Sequence, residues 1–332
     1  MTVAIREDQF IAALRSVVRE PRGRVFLGIG DDAAIWQPSR SHRSVISSDA
    51  FVDGVHFRRG LMPAEDIGAR AMAASISDLA AMGACGVLAT VSLAVPHDVT
   101  EAEACAWYRG MQEVATAAKL SIVGGDLVRA DRLMLAITVV GEVRSTRVKR
   151  RDGARVGDVL AVTGPLGAAR AGWLLDTHPD ALTGALRDAA LSAYRRPQPR
   201  LADARFLSAS ERIHAMMDIS DGLSTDLLRL CTASCVGAVL EAVPVAPAAT
   251  AMARALNEDA EHFALAGGED FELLVAIDPR SFTYLAARFA AHSGRSLLRI
   301  GTVCAELGVV RRTDEGDVTL TSTGWDQLHE SS

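Results

Sequence analysis

The apolar residues of this chain recur in short runs that alternate between the spacing of a β-strand and the spacing of an α-helix. In the first half, strands are predicted at 24–29, 44–48, 87–95, 120–123 and 133–143, and helices at 10–18, 64–82 and 100–119. After residue 158, strands are predicted at 159–163, 213–219, 238–242, 272–277 and 297–303, and helices at 166–175, 202–208, 224–234 and 282–292. This alternation predicts an α/β or α+β fold.

A charged, arginine-rich segment at 144–158 interrupts the apolar runs and marks the predicted domain boundary. A chain of 332 residues suggests about two domains, and a hydrophobic content of 49% can fill two cores. We therefore predict an N-terminal domain at 1–146 and a C-terminal α/β domain at 147–332.

Composition and charge exclude several classes of partner. The net charge of −6 provides no basic surface for nucleic acid or for an anionic membrane. Residues 79–96 are uncharged, but Gly83 and Gly86 interrupt them and Pro96 ends them, so a helix end, a turn and a buried strand are favoured over a membrane span. The five scattered cysteines, and a polar start without the pattern of a secretory signal, predict a cytoplasmic protein.

Acidic side chains cluster beside glycines and at the ends of predicted strands. The ten carboxylates concerned are Asp31, Asp32, Asp49, Asp53, Asp78, Asp126, Asp218, Asp221, Glu269 and Asp270. Carboxylates gathered in this way need a counter-charge, and a hard divalent cation is the usual one. The pattern therefore predicts a magnesium site and, through the metal, a phosphate-bearing ligand.

Asp78 stands in a predicted helix that is otherwise almost free of charge. Along 64–82 it shares one face with Ala71 and Ser75, while apolar residues such as Ile76 occupy another. The small neighbours would let an ion or a bulky ligand approach the carboxylate. The alternative is a buried aspartate that pairs with an arginine.

Three segments have the residues that phosphate binding requires. The glycines at 28–32 and 124–126 permit tight turns and close backbone approach, and 218–222 lies where a strand passes into a helix whose N-terminus attracts anions. Taken alone, Ser220 or Asp221 would more often be a helix N-cap. Neither a P-loop nor the dinucleotide-binding fingerprint is present.

Three further polar or aromatic residues have ordinary structural alternatives when each is taken alone. His56 would be a solvated or structural histidine, Trp325 a packing anchor, and Arg151 part of a solvated run of charge. Only their place among the other segments gives them a functional interpretation.

Together these segments resemble the thiamine-monophosphate kinase family, within the aminoimidazole ribonucleotide synthetase-like superfamily. The resemblance runs in order from Gly28 to Trp325. It rests on Gly-Ile-Gly-Asp-Asp-Ala (28–33), Ser-Asp (48–49), Val-Asp-Gly-Val-His-Phe (52–57), Ser-Asp-Leu-Ala-Ala-Met-Gly-Ala (77–84), Gly-Gly-Asp (124–126), Arg-Asp-Gly-Ala (151–154), Met-Asp-Ile-Ser-Asp-Gly-Leu (217–223), Gly-Gly-Glu-Asp-Phe-Glu-Leu (267–273) and Gly-Trp (324–325).

The resemblance implies the two-domain architecture of that superfamily, with an N-terminal domain that binds ATP and Mg²⁺ and forms a homodimer. It implies ATP-dependent phosphorylation of thiamine monophosphate to thiamine diphosphate, by direct in-line transfer with several Mg²⁺ ions. No side-chain general base is expected, because a phosphate monoester with a second pKa of about 6 is already largely ionised at neutral pH.

The resemblance also implies roles for individual positions. The metal ligands would be Asp32, Ser47, Ser48, Asp49, Asp78, Asp126, Asp218 and Asp221. ATP would contact Tyr108, Gly125, Asp126, Arg151 and Ser220, and thiamine monophosphate would contact His56, Glu269 and Trp325. Ser48 stands where threonine is more usual, and it keeps the hydroxyl group.

Two other classes of protein are alternatives. One is another synthetase of the superfamily, of the selenophosphate or purine-pathway type. A selenophosphate synthetase should carry a reactive cysteine and a lysine near its N-terminus, whereas the first of each in this chain are Cys85 and Lys119. The other alternative is a catalytically inactive binding protein, and the full set of acids argues against such decay.

Overall fold

The computed structural model describes residues 7–29, 33–313 and 315–325. They form two compact units. Unit 1 contains the described residues up to Leu79 together with Ala84–Ser145, and unit 2 contains Ala80–Gly83 and the described residues from Thr146 onward. Each unit combines helices with its own main sheet, which confirms the predicted fold class. The separate roles given to 1–146 and 147–332 stay a prediction.

Unit 1 is built on a four-stranded sheet. Its elements are α1 (Glu7–Val17), β1 (Val25–Leu27), β2 (Ile35–Trp36), β3 (His42–Val52), α2 (Ala64–Ala81, whose last two residues belong to unit 2), β4 (Cys85–Val95), α3 (Glu101–Ala117), β5 (Ser121–Arg129) and β6 (Met134–Arg144). The strand order is β3-β6-β4-β5, in which β6 is antiparallel to both neighbours and β5 is parallel to β4. The two edge strands, β3 and β5, carry predicted site residues.

Helix α2 confirms the helix predicted at 64–82. Its apolar side chains Met72, Ile76 and Leu79 are fully buried. A turn joins α2 to β4, so the uncharged stretch at 79–96 is a helix end, a turn and a buried strand, as predicted. Within the part of the chain that the structure describes, no helix is both long enough and apolar enough to cross a membrane.

Helix α3 begins with half of a capping box. The Thr100 side chain accepts a hydrogen bond from the Glu103 main-chain N–H at 3.2 Å, as an N-cap does. The Glu103 carboxylate turns instead to Arg59, which donates to both of its oxygens at 2.6 and 2.7 Å. Glu103 therefore ties the loop that contains Arg59 to the start of α3.

Two segments that were predicted to turn or to follow a strand lie inside strands. The segment 124–126 is part of β5, and Asp49 is part of β3. Gly125 is in register with Val91 of β4, and Asp49 is in register with Ile137 of β6. Pairing with a neighbouring strand satisfies the backbone groups that a turn would leave open. The turn predicted at 124–126 is therefore wrong, and the strand predicted at 44–48 is too short because β3 continues past Asp49.

Unit 2 is built on a seven-stranded sheet. Its elements are β7 (Val159–Val162), α4 (Ala168–Leu174), α5 (Gly184–Arg195), α6 (Leu201–Ser208), β8 (Ile213–Asp218), α7 (Leu223–Ser234), β9 (Gly237–Leu240), α8 (Pro247–Ala255), α9 (Ala260–Leu265), β10 (Leu273–Ile277), α10 (Phe282–Ser293), β11 (Leu298–Cys304), β12 (Gly308–Thr313) and β13 (Gly316–Thr319). The strand order is β13-β12-β9-β11-β7-β10-β8, and all neighbours are antiparallel except β12 and β9.

The helices and strands predicted for this half are present, but the apolar pattern does not predict α5, α8, α9, β12 or β13. Helix α8 buries mainly alanines, and such small side chains give a weak apolar periodicity. Strand β13 is exposed along its whole length, so it has no buried face to alternate with a polar one. Asp218 is the last residue of β8, as predicted.

Candidate functional site

In unit 1, strand β3 and helix α2 bring together Ser47, Asp49 and Asp78. Ser47 and Asp49 are two residues apart on β3 and therefore project from the same face of the sheet. The Ser47 hydroxyl donates to the Asp78 carboxylate. The Ser75 hydroxyl, one turn earlier on α2, donates to the Ala71 oxygen at 3.2 Å and lies close enough to Asp49 to lower the pKa of that carboxyl group. The predicted face of α2 that contains Ser75 and Asp78 is thus the one that meets β3.

The two carboxylates of this group repel each other. Burial, and then the charge of Asp78, raise the pKa of Asp49 from 3.8 to about 6, and the nearby Ser75 hydroxyl opposes this rise. The Oδ2 atom of Asp49 is buried and has no hydrogen-bond partner among the described residues. Such an oxygen normally has a partner, so this pair of acids fits a hard cation such as Mg²⁺.

The alternative of an aspartate paired with an arginine does not apply to Asp78. Among the described residues its partner is the Ser47 hydroxyl, and no arginine forms an ion pair with it. The described ranges contain no group of three or more acidic, histidine or cysteine side chains in the arrangement of a metal site. Asp32, a predicted ligand, and its neighbour Asp31 lie outside these ranges.

The other predicted metal ligands of unit 1 are placed apart from this pair. Ser48 projects from the opposite face of β3, where its hydroxyl is 3.0 Å from that of Thr138. Asp126 is in register with Ser92 of β4, one row beyond the row of Asp49, so it also lies on the opposite face and is exposed. The structure therefore brings Ser47, Asp49 and Asp78 together but not Ser48 or Asp126.

Gly125 and Tyr108, which were predicted to contact ATP, occupy different environments. A Cβ atom on Gly125 would lie 1.8 Å from the main-chain oxygen of Val91, so only glycine allows β5 to pair here with β4. Tyr108 is buried on α3, and this burial raises the pKa of its phenol. Its contact with ATP stays a prediction.

The loop after β3 fixes His56, a predicted substrate contact. Its Nδ1 atom accepts from the Val52 N–H at 3.1 Å, and its ring lies edge-on to Phe51 with centroids 5.5 Å apart. Asp53, to which the sequence assigns no role, accepts from the Arg59 N–H at 2.8 Å and so closes this loop.

In unit 2, the turn between β8 and α7 carries Asp218, Ser220 and Asp221. Asp218 is buried, and Ser220 and Asp221 are partly exposed. The N-cap of α7 is Gly222, at a φ of 105°, so the interpretation of Ser220 or Asp221 as an N-cap is wrong. A residue with a Cβ atom disfavours this φ, so glycine is required where the chain enters α7.

The sequence gives no prediction for Asp226, which organises this turn from inside α7. One of its oxygens accepts from the N–H groups of both Ser220 and Asp221, each at 3.0 Å, and the residue is fully buried. The amides that were predicted to meet phosphate are therefore already bound. The sequence signal that could have identified Asp226 is a carboxylate in the first turn of a helix, where the positive end of the helix dipole favours negative charge.

Arg229 links the two acids of this turn. Its Nη1 atom donates to Asp221 and, at 2.9 Å, to Asp226. Burial raises the pKa of Asp226 to about 6, opposed by the Asp221 N–H and by Arg229. Asp221 and Asp226 thus share one positive charge.

The two predicted substrate contacts of unit 2 form main-chain hydrogen bonds to consecutive residues of this turn. The Glu269 N–H donates to the Ser220 oxygen at 2.7 Å, and the Trp325 N–H donates to the Asp221 oxygen at 3.0 Å. A Cβ atom on Gly324 would lie 1.9 Å from that Asp221 oxygen, so the approach requires glycine. Trp325 remains 41% exposed, which leaves part of its indole open to a ligand.

Arg151 is exposed, and its main-chain oxygen accepts from the Ser234 hydroxyl at 2.8 Å. This bond anchors the backbone of the predicted ATP contact to the end of α7. The neighbouring Arg150 pairs with Asp152, as a solvated run of charge does. The guanidinium of Arg151 takes part in no hydrogen bond or ion pair with another described residue.

Comparison with known families agrees with the division of the chain into two units. The family described as AIR synthase related protein, N-terminal domain, matches residues 30–143. The family described as AIR synthase related protein, C-terminal domain, matches residues 155–312. The two matches together span most of the chain.

Two individual relatives are both named thiamine-monophosphate kinase. The thiamine-monophosphate kinase of Synechococcus elongatus is 41% identical over 255 residues, which are 75% of this chain and 77% of that protein. The thiamine-monophosphate kinase of Bacillus subtilis is 34% identical over 310 residues, which are 92% of this chain and 94% of that protein. A solved structure described as AaThiL complexed with AMPPCP and TMP is 26% identical, with a TM-score of 0.78 over 88% of this chain and 89% of that chain. The chain belongs to the AIR synthase related family and, within it, to the thiamine-monophosphate kinases.

Proposed function

We propose that this chain transfers the γ-phosphoryl group of ATP to the phosphate of thiamine monophosphate, which gives thiamine diphosphate and ADP. Family membership supports the proposal, since relatives of that name match nearly the whole chain. The related complex with AMPPCP and TMP pairs an ATP analogue with TMP. The observation in this chain that carries the proposal is the pair of Asp49 and Asp78, whose unpartnered oxygen suits a phosphate-bound cation.

We propose several Mg²⁺ ions as cofactors, one of them held in unit 1 by Asp49 and Asp78 beside the Ser47 hydroxyl. When bound, Mg²⁺ neutralises phosphate charge and holds the reacting groups for transfer. Because Ser48 projects from the other face of β3, it would contribute its main-chain oxygen. The further ligands that we propose are Asp32, Asp126, Asp218 and Asp221.

The acceptor substrate would be recognised by its cationic ring and its phosphate. The thiazolium ring of thiamine is flat and positively charged, which suits the face of Trp325 and the carboxylate of Glu269. His56, whose ring is fixed by Val52 and Phe51, is the third proposed contact. The proposed ATP contacts are Tyr108, Gly125, Asp126, Arg151 and Ser220.

The residues of the site support direct in-line transfer. The acceptor phosphate is its own nucleophile at neutral pH, so no side chain has to remove a proton from it. What the protein must supply is charge neutralisation and alignment of two anionic groups. The exposed guanidinium of Arg151 adds positive charge for this purpose.

We also propose a cytoplasmic homodimer that forms through unit 1. Ile46 on β3 and Val128 on β5 are 67% and 49% exposed, and both project from the sheet face opposite to Asp49. All five cysteines are free, in keeping with a reducing compartment. In sedimentation experiments, Ile46→Lys should shift the protein from dimer to monomer, whereas Tyr284→Lys, at an equally exposed site of unit 2, should not.

The test of the reaction is product formation from thiamine monophosphate and ATP, with and without Mg²⁺. We expect thiamine diphosphate and ADP in equal amounts, and no product when EDTA removes the metal or when thiamine replaces its monophosphate. Asp78→Asn should lower turnover by roughly two orders of magnitude, because it removes one of the paired carboxylates.

The control for that variant is Asp188→Asn, at an exposed position on α5. It should keep wild-type turnover, and both variants should keep the wild-type circular dichroism spectrum. Near-normal activity of Asp78→Asn would remove this residue from the metal site, and the absence of thiamine diphosphate with the wild-type protein would refute the proposed substrate.

A further inference from the structure

Two residues on either side of Asp270 have a left-handed backbone. Glu269 has a φ of 65° and Phe271 a φ of 49°, and neither is a glycine. A side chain with a Cβ atom is disfavoured in this region, so the surrounding structure must impose the conformation. Strain of this kind concentrates at sites where a side chain has to be held for function.

Asp270 and Glu272, which alternate with these two residues along the chain, are held by hydrogen bonds within unit 2. Both carboxylate oxygens of Asp270 accept from the Gly167 N–H, at 3.0 and 2.8 Å, directly before α4. Glu272 is 4% exposed, accepts from the Thr163 hydroxyl at 2.6 Å and binds Arg200 through both of its oxygens, at 2.6 and 3.0 Å. The segment is therefore clamped at every second residue.

The main chain of the same segment is bound to the turn of the proposed active site. Besides the bond from Glu269 to Ser220, the Phe271 N–H donates to the Ile219 oxygen at 2.9 Å, and the Ile219 N–H donates to the Glu272 oxygen at 2.8 Å. Glu269 cannot relax to an ordinary backbone without breaking one of these bonds or withdrawing Asp270 from Gly167.

We infer that Asp270 is a positioning residue for the acceptor substrate: it clamps the segment so that Glu269 keeps its left-handed backbone and its carboxylate stays in place for thiamine monophosphate. This inference rests on the proposed function, from which the role of Glu269 comes. Burial raises the pKa of Asp270 to about 8, although part of the residue stays accessible, so asparagine is close in shape and charge to its protonated form.

The first test measures strain without any substrate. Because glycine adopts a positive φ readily, Glu269→Gly should raise the melting temperature by about 2 °C. The matched control is Glu306→Gly, at an exposed glutamate with an ordinary backbone, and it should lower the melting temperature. Asp270→Ala removes the hydrogen bonds to the Gly167 N–H, so in that background Glu269→Gly should no longer raise the melting temperature.

The second test measures recognition of the substrate. Asp270→Ala should raise KM for thiamine monophosphate about tenfold and change KM for ATP less than twofold, since the displaced carboxylate is on the acceptor side. Asp270→Asn keeps an acceptor for the Gly167 N–H, so it should restore KM to within about threefold of wild type.

The outcomes separate this inference from the proposed function. If the wild-type protein makes no thiamine diphosphate, the proposed function fails, and the melting experiments alone decide whether Asp270 clamps Glu269. The inference is overturned if Glu269→Gly lowers the melting temperature, or raises it equally with and without Asp270. It is also overturned if Asp270→Ala raises both KM values to the same extent.

Discussion

The main-chain N–H of Trp325 donates to the carbonyl oxygen of Asp221 over 3.0 Å, so the proposed aromatic contact for the acceptor substrate and a proposed metal ligand share one hydrogen bond. Together with the bond between Glu269 and Ser220, it makes the turn after β8 a common support for the contacts that we propose for ATP, the metal and the acceptor substrate. A change at this turn should therefore disturb metal and acceptor recognition at once.

Gly324→Ala tests this coupling. The added Cβ atom would lie 1.9 Å from the Asp221 oxygen, so the Trp325 main chain must move away. We expect KM for thiamine monophosphate to rise about tenfold and the Mg²⁺ concentration needed for half-maximal activity to rise with it. Trp325→Phe is the control, because it keeps both the main-chain bond and a flat aromatic face. A larger defect in Trp325→Phe than in Gly324→Ala would contradict the coupling.

Gly125→Ala and Gly124→Ala form a matched pair on β5. A Cβ atom at Gly125 would lie 1.8 Å from the Val91 oxygen, whereas one at Gly124 would have nothing within 4 Å. We expect Gly125→Ala to lower the free energy of unfolding by about 3 kcal/mol and Gly124→Ala to change it by less than about 0.5 kcal/mol, as measured by urea denaturation. Equal effects of the two substitutions would show that β5 does not pair so closely with β4.

The pKa of Asp49 predicts how the stability of the metal-free protein varies with pH. A carboxyl group whose pKa rises from 3.8 to about 6 on folding adds stability that is fully present below pH 3.8 and is lost as the pH rises through 6. In EDTA, the melting temperature of the wild type relative to Asp49→Asn should therefore fall between about pH 4 and pH 6. Mg²⁺ should raise the wild-type melting temperature more at pH 7.5 than at pH 5, because protons compete with the cation. Parallel melting curves across this range would exclude the raised pKa.

Asp226→Ala should destabilise the turn that carries Ser220 and Asp221. It leaves two N–H groups without their acceptor in a buried environment, and we expect a loss of about 2 kcal/mol in the free energy of unfolding. Asp188→Ala, an exposed aspartate on α5, is the control and should have almost no effect. Turnover should fall in Asp226→Ala and not in its control. If both proteins melt alike, Asp226 does not hold the turn.

The sequence predicts those features that depend on local spacing. Asp78 could be singled out because the small residue Ser75 and the apolar Ile76 fix its face of α2 by helical periodicity alone, and the structure places that face against β3. The order of the motifs identified the family, since each motif is short and contiguous.

What the sequence could not predict depends on partners that are distant along the chain. Whether 124–126 turns or extends is decided by pairing with β4, and nothing within the segment reveals that pairing. Asp226 resembles an ordinary first-turn acid until Gly222 bends the chain and brings the Ser220 and Asp221 N–H groups back to it. Asp270 and Gly167 are likewise far apart in sequence, and so the clamp has no local signature.

The central place of β6 in the sheet of unit 1 determines the order in which this unit can be completed during translation. Within the described chain, β3 has β6 as its partner in that sheet, and β6 is the last strand of the unit to leave the ribosome. A nascent chain that stops before Met134 leaves β3 without this partner, and Ser47 and Asp49 have no fixed position opposite α2. The pair of Asp49 and Asp78, which we propose binds a cation, is therefore assembled late in the biogenesis of the protein, although both residues are synthesised early.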